Sequence, residues 1–271
     1  MKILFAFLSR LPLSVLHFVG AGLGLFVYFL SQTYRQHLLE NLKIAGFSAD
    51  LRFEVARETG KQMLEVAKIW QKDLQKTQKM VVALENEEIL KKAEENPNGI
   101  LFITPHLGAF ELTAQWYAAR RNITVLYRAP KNKTLESLVL QGRSREKLHL
   151  APADLSGVKK LLKALKKGEA IGILPDQTPK TGEGVWVNFF NQPAYTMTLA
   201  AKLSQSKASV VYAVAERLPQ SAGFKLCFYA PQTPFAGNVE QRAQLLNGDL
   251  ERLIKTCPTQ YLWGYNRYKT P

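Results

Sequence analysis

Ile-Leu-Phe-Ile-Thr-Pro-His-Leu-Gly-Ala-Phe-Glu, residues 100–111, decides the fold class of this chain. Ile100 to Ile103 form a short apolar run, Thr104-Pro105-His106 ends it, and a helix is expected from about Gly108. A strand that turns into a helix is the unit of an open α/β sheet, and such sheets place ligands at the carboxyl ends of their strands. His106 stands at that end, and Gly108 lets backbone or substrate come close. Glu111, five residues beyond His106, is expected to fold back and hold the ring nitrogen that does not face the substrate. An imidazole held this way is a general base suited to taking a proton from an alcohol.

The spacing alone decides little. With 4 His and 22 Asp+Glu in 271 residues, a His-x4-acid match arises by chance roughly 0.3 times. A second one does occur, at His149 and Asp154. Its histidine follows the charged run Arg143-Ser-Arg-Glu-Lys, and its acid lies beyond Pro152. Context therefore favours His106 and Glu111, and leaves His149 as a structural or solvated histidine.

Outward from this stretch the pattern repeats. Further short apolar runs lie at 123–127, 170–174, 208–215 and 224–229. Helical stretches are expected at 109–120, 134–147, 156–167, 195–206 and about 238–256. The alternation predicts an α/β sandwich around a central, mostly parallel or mixed sheet flanked by helices. Residues 35–96 read as a helical lead-in, with Val55, Met63, Val66 and Trp70 at near-helical spacing, and Asn96-Pro-Asn-Gly as the turn into the core at 97–271.

Two other strand ends carry polar groups. Arg128, with Lys131 and Asn132 close behind, follows the run at 123–127; Asp176 and Gln177 follow the run at 170–174. If these strands are parallel, the three ends converge with His106. The guanidinium fork of Arg128 suits a phosphate or an oxyanion.

Leu11 to Leu30 contains no charged residue. As a helix it is about 30 Å long, enough to span a hydrocarbon core. Residues 1–34 are read as an uncleaved membrane anchor, because a signal peptide has a shorter apolar region and a small-x-small cleavage site. Gly20, Gly22 and Gly24 supply a small-residue face, and Pro12 and His17 leave open a helix lying in the interface. Cations on both flanks give a small bias toward a cytoplasmic body.

The chain carries 36 Lys+Arg against 22 Asp+Glu, a formal +14, which suits a polyanionic partner: nucleic acid, anionic lipid or an acidic carrier protein. Residues 120–169 hold 13 Lys+Arg and only 4 Asp+Glu, a net +9. Within them, 156–167 reads as an amphipathic helix capped by Ser156. Its apolar stripe is Val158, Leu161, Leu162 and Leu165; the other face carries Lys159, Lys160, Lys163, Lys166 and Lys167. Cys227 and Cys257 have no metal or disulfide spacing and read as buried hydrophobes. No Gly-x-Ser-x-Gly elbow and no P-loop occurs. The interleaved Tyr261, Trp263, Tyr265, Arg267, Tyr268 and Lys269 suit core packing and interface contact better than nucleic-acid stacking.

His106-x4-Glu111, Tyr127-Arg128-x-Pro-x-Asn132, Pro175-Asp176-Gln177, Val185-x-Val-x-Phe189-Phe190 and the C-terminal Gln260-Tyr-x-Trp263 with Arg267-Tyr268-Lys269 resemble the late acyltransferases of lipid A biosynthesis. The matches cover roughly residues 100–269, in order. Two departures are Pro105, where the wider superfamily often has Asn, and Glu111, where it often has Asp. The resemblance implies a glycerolphosphate-acyltransferase-like fold over residues 35–271 and a membrane-bound O-acyltransferase at the bacterial inner membrane, facing the cytoplasm. It implies transfer from an acyl carrier protein thioester to a hydroxyl of a phosphorylated glycolipid, the lipid A precursor. His106 is then the base and Glu111 its partner, with no acyl-enzyme. Arg128, Lys131, Asn132, Asp176 and Gln177 bind substrate, and the lysine helix meets carrier or headgroup. No metal, no nucleic acid and no cofactor beyond the acyl thioester co-substrate is expected. The alternatives are the same chemistry on a lysophospholipid or another glycolipid, and a non-catalytic basic protein binding at the membrane surface.

Overall fold

The apolar runs do become adjacent strands, and the polar residues after them come to one edge. The computed structural model describes residues 2–70, 74–130 and 132–271. Five helices come first: α1 (Lys2–Arg10), α2 (Leu13–Leu30), α3 (Gln32–Ile44), α4 (Arg52–Ile69) and α5 (Leu74–Lys79). Strands and helices then alternate: β1 (Val81–Glu85), α6 (Glu87–Glu94), β2 (Ile100–Ile103), α7 (Phe110–Ala118), β3 (Ile123–Tyr127), α8 (Lys133–Arg143), β4 (Leu148–Pro152), α9 (Leu155–Lys166) and β5 (Ala170–Ile173). The hairpin β6 (Gly184–Phe189) and β7 (Gln192–Met197) follows, then α10 (Thr198–Leu203), β8 (Ser209–Arg217), β9 (Phe224–Tyr229) and α11 (Val239–Thr256).

Seven strands form one sheet in the order β1-β9-β8-β2-β5-β3-β4. The five from β8 to β4 run parallel; β9 is antiparallel to β8 and pairs in parallel with β1. The architecture is thus a mixed α/β fold with a central, mostly parallel sheet between helices. Successive side chains point to opposite faces of a strand, and each face has its own core. Leu101, Ile103, Ile171 and Ile173 pack with α9 and α11 on one side. Phe102, Ile123, Val125, Leu226 and Phe228 pack with Leu112 and Trp116 of α7 on the other. Cys227 and Cys257 are free and buried; burial pushes their thiols up to about 11 and about 12.

Several elements depart from the sequence-based expectation. β1 lies inside the stretch read as wholly helical, and β4 follows directly on α8. Residues 195–206, expected as one helix, are the end of β7 and the short α10. The β6–β7 turn is made by Phe190 and Asn191, both with positive φ (49° and 60°), the backbone that a two-residue hairpin demands and that Asn-Gly more usually announces. The cap of α9 is Asp154, which accepts from the amides of Ser156 and Gly157, rather than Ser156. Leu162, placed in that helix's apolar stripe, is exposed.

α2 is long and apolar enough to cross a membrane, yet one face of it is packed against the protein. Leu16, Gly20, Gly24 and Tyr28 recur every four residues on that buried face, and Gly60 of α4 meets them. A Cβ on Gly60 would stand 1.9 Å from the Gly20 carbonyl oxygen, and one on Gly24 would stand 1.9 Å from that of Ala56. Gly20 and Gly24 of the expected small-residue face therefore serve contact within the chain, whereas Gly22 is exposed. Phe18, Leu23, Phe26, Phe29 and Leu30 on the other side are exposed.

A buried charge cluster ties α2 and α4 to the sheet. Arg217, at the end of β8, donates to Glu65 at 2.8 and 2.6 Å and to Glu58 at 2.5 Å. His17 of α2 bonds Glu65 through Nε2 at 3.0 Å and the Ser221 hydroxyl through Nδ1 at 2.9 Å. Burial pushes the Glu65 carboxyl up, but the Arg217 charge and hydrogen bonds and those of His17 outweigh it and hold its pKa below the ordinary value.

Candidate active site

β2 and β5 are hydrogen-bonded neighbours, with Ile103 opposite Ile173. His106 and Asp176 each lie three residues beyond that pair, so the register delivers both to one spot at the carboxyl edge. Asp176 accepts from the imidazole Nδ1 at 2.7 Å through one oxygen, and from the His106 backbone amide at 2.8 Å through the other. Burial alone pushes the Asp176 carboxyl up. The charge of His106 and its hydrogen bonds overcome this and hold Asp176 below the usual carboxylate range.

The other ring nitrogen, Nε2, accepts from the Gln177 side-chain amide at 3.3 Å. An amide nitrogen can only donate, so this contact requires the neutral ring to carry its proton on Nδ1. Nε2 is then the basic atom. The ring also stands edge-on to Phe110, with centroids 4.7 Å apart.

The loop behind His106 is held from three directions. The Gly108 amide donates to the Gln260 carbonyl at 3.1 Å, its carbonyl accepts from the Gln62 side chain at 2.7 Å, and the Leu262 amide donates to the His106 carbonyl at 3.2 Å. Gly108 has a φ of 60°, and a Cβ there would stand 2.1 Å from the Ala215 oxygen. Both the left-handed backbone and the close approach require glycine. Tyr261 is buried beside the site; burial first, and then the Asp176 charge, push its hydroxyl well above the usual range.

Glu111 is placed differently from the expected pairing. It sits in the first turn of α7, where its carboxylate accepts from Arg143 through both guanidinium Nε (2.9 Å) and Nη2. It also accepts from the Trp70 indole at 2.9 Å. The carboxylate that orients His106 is therefore Asp176, and Glu111 anchors Arg143. Adjacency in sequence suggested the first pairing; adjacency of two strands produces the second.

His106, Glu111, Arg143, Arg128 and Gln177 all border one cavity of about 270 Å³. It lies between α7 and the sheet, and its deeper lining is apolar: Phe102, Ile123, Val125, Leu148, Phe228 and Trp116. Such a site combines a few polar groups at the entrance with a hydrocarbon interior. Of the three strand ends expected to converge, β2, β5 and β3 do so, and Arg128 is exposed at the last of them.

Other expected residues lie elsewhere. Asn132 is exposed just ahead of α8, its carbonyl accepting from the Glu136 amide; it does not line the cavity. Lys131 lies outside the described residues. Lys159, Lys160, Lys163 and Lys166 of α9 and Lys167 at its C-cap are all exposed, and α9 packs on the sheet face opposite α7. His149 is exposed on β4, and Asp154 is engaged in capping α9, so the second His-x4-acid match forms no pair.

Arg143, Trp70, Gln62 and Tyr261 are the site's neighbours that the motifs did not single out for it. The C-terminal aromatic segment does carry a trace of this role, for Tyr265 accepts from the Thr178 amide at 3.0 Å and Arg267 bonds Tyr195 and Thr196. Its residues pack around the Asp176-Gln177-Thr178 loop, as core packing predicts.

Residues 1–270 match the family described as bacterial lipid A biosynthesis acyltransferase. The lipid A biosynthesis lauroyltransferase of Escherichia coli (strain K12) is 27% identical over 271 residues, covering 96% of this chain and 87% of that protein. The lipid A biosynthesis palmitoleoyltransferase of the same organism is 25% identical over 272 residues, with the same coverage. A lipid A biosynthesis acyltransferase of Haemophilus influenzae is 25% identical over 217 residues, 79% of this chain and 66% of its own length. The chain belongs to this family, and it is an O-acyltransferase of lipid A biosynthesis.

Proposed function

We propose that this member of the lipid A acyltransferase family moves a fatty acyl chain from an acyl carrier protein thioester to a hydroxyl of the phosphorylated lipid A precursor, with His106 as general base. The observation that carries this reading is the placement of His106. Its Nδ1 proton is held by Asp176, and its basic Nε2 stands at the entrance of an apolar cavity.

The acceptor hydroxyl takes the place of the Gln177 amide on Nε2. As its proton passes to Nε2, the oxygen attacks the thioester carbonyl carbon, forming the tetrahedral intermediate. Asp176 stabilises the imidazolium so formed. Collapse of the intermediate breaks the carbon–sulfur bond, and the leaving thiolate takes the proton from Nε2 to become the thiol. The ester is made and the ring returns to its starting state, with no acyl-enzyme. Arg128 and Arg143 supply positive charge at the entrance for the acceptor's phosphate or the developing oxyanion. Glu111 fixes the guanidinium of Arg143 in place.

The protein works at the cytoplasmic face of the bacterial inner membrane. α4, packed along α2, carries Glu54, Arg57 and Lys61, charges that are expensive to bring into hydrocarbon. α2 therefore lies in the interface with its exposed apolar face toward the lipid, which keeps the cavity entrance near a membrane-held acceptor. The lysines of α9 form the surface for the acidic carrier.

Transfer of labelled acyl chains from acyl carrier protein to a lipid A precursor in detergent tests the proposal. His106→Ala is expected to lower turnover by at least about 100-fold; near-normal turnover would contradict it, as would consumption of thioester by the lysophospholipid acceptor in preference to the lipid A precursor.

A further inference from the structure

Three residues in register cross the middle of the cavity's lining. Phe102, Gly172 and Val125 stand in register on the neighbouring strands β2, β5 and β3, and all three line the cavity. One step toward the strands' carboxyl ends the lining is Thr104 and Leu174, beside His106. One step the other way it is Ile123 and Leu148, themselves paired across β3 and β4. The middle row thus separates the entrance from the deep end, and its central member has no side chain.

Nothing in the backbone demands glycine there. Gly172 is not among the glycines of positive φ, and it sits in the interior of a buried strand, where glycine weakens a sheet and marks a place that something else approaches closely. A Cβ at this position would stand 3.0 Å from Val125 Cγ1 and 3.7 Å from Ile123 Cδ1. A side chain there would press on Val125 and Ile123, two residues of the cavity wall.

We propose that Gly172 is a specificity-determining residue for the length of the acyl chain. The thioester carbon lies at His106, the chain crosses the sheet face over Gly172, and its methyl end reaches toward Ile123 and Leu148. The inference rests on the acyl-transfer reading of this site. A side chain at 172 closes the passage and leaves room only for a short chain, whereas trimming Ile123 deepens the far end.

The test is a donor series, octanoyl to palmitoyl, each loaded on acyl carrier protein, with the wild type, Gly172→Ala, Gly172→Val and Ile123→Ala. A pocket discriminates one methylene by roughly 10- to 200-fold in kcat/KM. Gly172→Val is therefore expected to lose at least about tenfold with the longest donor the wild type accepts, relative to a short one. Gly172→Ala shifts the optimum the same way by less and serves where the valine variant fails to fold; Ile123→Ala shifts it toward longer donors. Wild-type transfer with an unchanged length profile in Gly172→Ala and Ile123→Ala would overturn this inference alone. Failure of the wild type to transfer any donor would overturn the acyl-transfer reading, and the inference with it.

Discussion

Nδ1 of His106 lies 2.7 Å from Oδ1 of Asp176, seventy positions further along the chain. The pair is made by two parallel strands that end side by side. Asp176→Asn keeps the shape of the partner but removes the charge that stabilises the imidazolium and fixes the Nδ1 proton. It is expected to lower kcat by at least about 100-fold while leaving KM for the acyl donor nearly unchanged, as steady-state kinetics would show.

Glu111 accepts from Arg143 rather than from His106. Glu111→Gln should raise KM for the phosphorylated acceptor more than it lowers kcat, and Arg143→Ala should do the same. The pH dependence of kcat should stay in place in both. A collapse of kcat in Glu111→Gln equal to that in Asp176→Asn would return Glu111 to the proton transfer itself.

Arg217 pairs with two buried carboxylates, Glu58 and Glu65. Arg217→Met strands these charges in the interior and is expected to destabilise the protein by about 3–5 kcal/mol at neutral pH. Glu65 has a pKa held below its ordinary value, so the stability it contributes is fully present above its unfolded pKa of about 4.3. That contribution is lost as pH falls through the lower folded value. Melting temperatures should accordingly be lost in acid by the wild type, and the gap between wild type and Arg217→Met should narrow there. A gap that widens toward low pH would contradict this.

Gly60 and Gly20 let α4 and α2 touch along their backbones. Gly60→Leu has no room for its side chain and should release α2, exposing its buried face. The expected result is a lower melting temperature and faster proteolysis between α2 and α3. An unchanged melting temperature would show that the two helices do not depend on this contact.

Much of the sheet was legible in the sequence because its strands are short, apolar and buried on both faces. Ile100–Ile103 and Ile123–Tyr127 have the bounds their apolar runs announce. β1 was hidden because it is an edge strand whose Val82 and Leu84 are exposed, so no buried run marks it. β6 and β7 were hidden because their turn uses Phe190 and Asn191. At the site, His106, Arg128 and Asp176-Gln177 could be read as strand ends. Which acid holds the histidine could not, because it depends on β5 inserting between β2 and β3. Local spacing favoured Glu111; strand order brought Asp176.

The most direct test of His106 and Asp176 as the proton-transfer pair follows the acyl group in one assay. Acyl carrier protein carrying a labelled acyl chain is mixed with the lipid A precursor in detergent and with equal amounts of folded wild type, His106→Ala, Asp176→Asn or Glu111→Gln, and labelled product is measured over time. His106→Ala and Asp176→Asn are both expected to fall by at least about 100-fold, with Glu111→Gln recovering most of its rate at saturating acceptor. Near-wild-type product formation by Asp176→Asn would contradict this pairing.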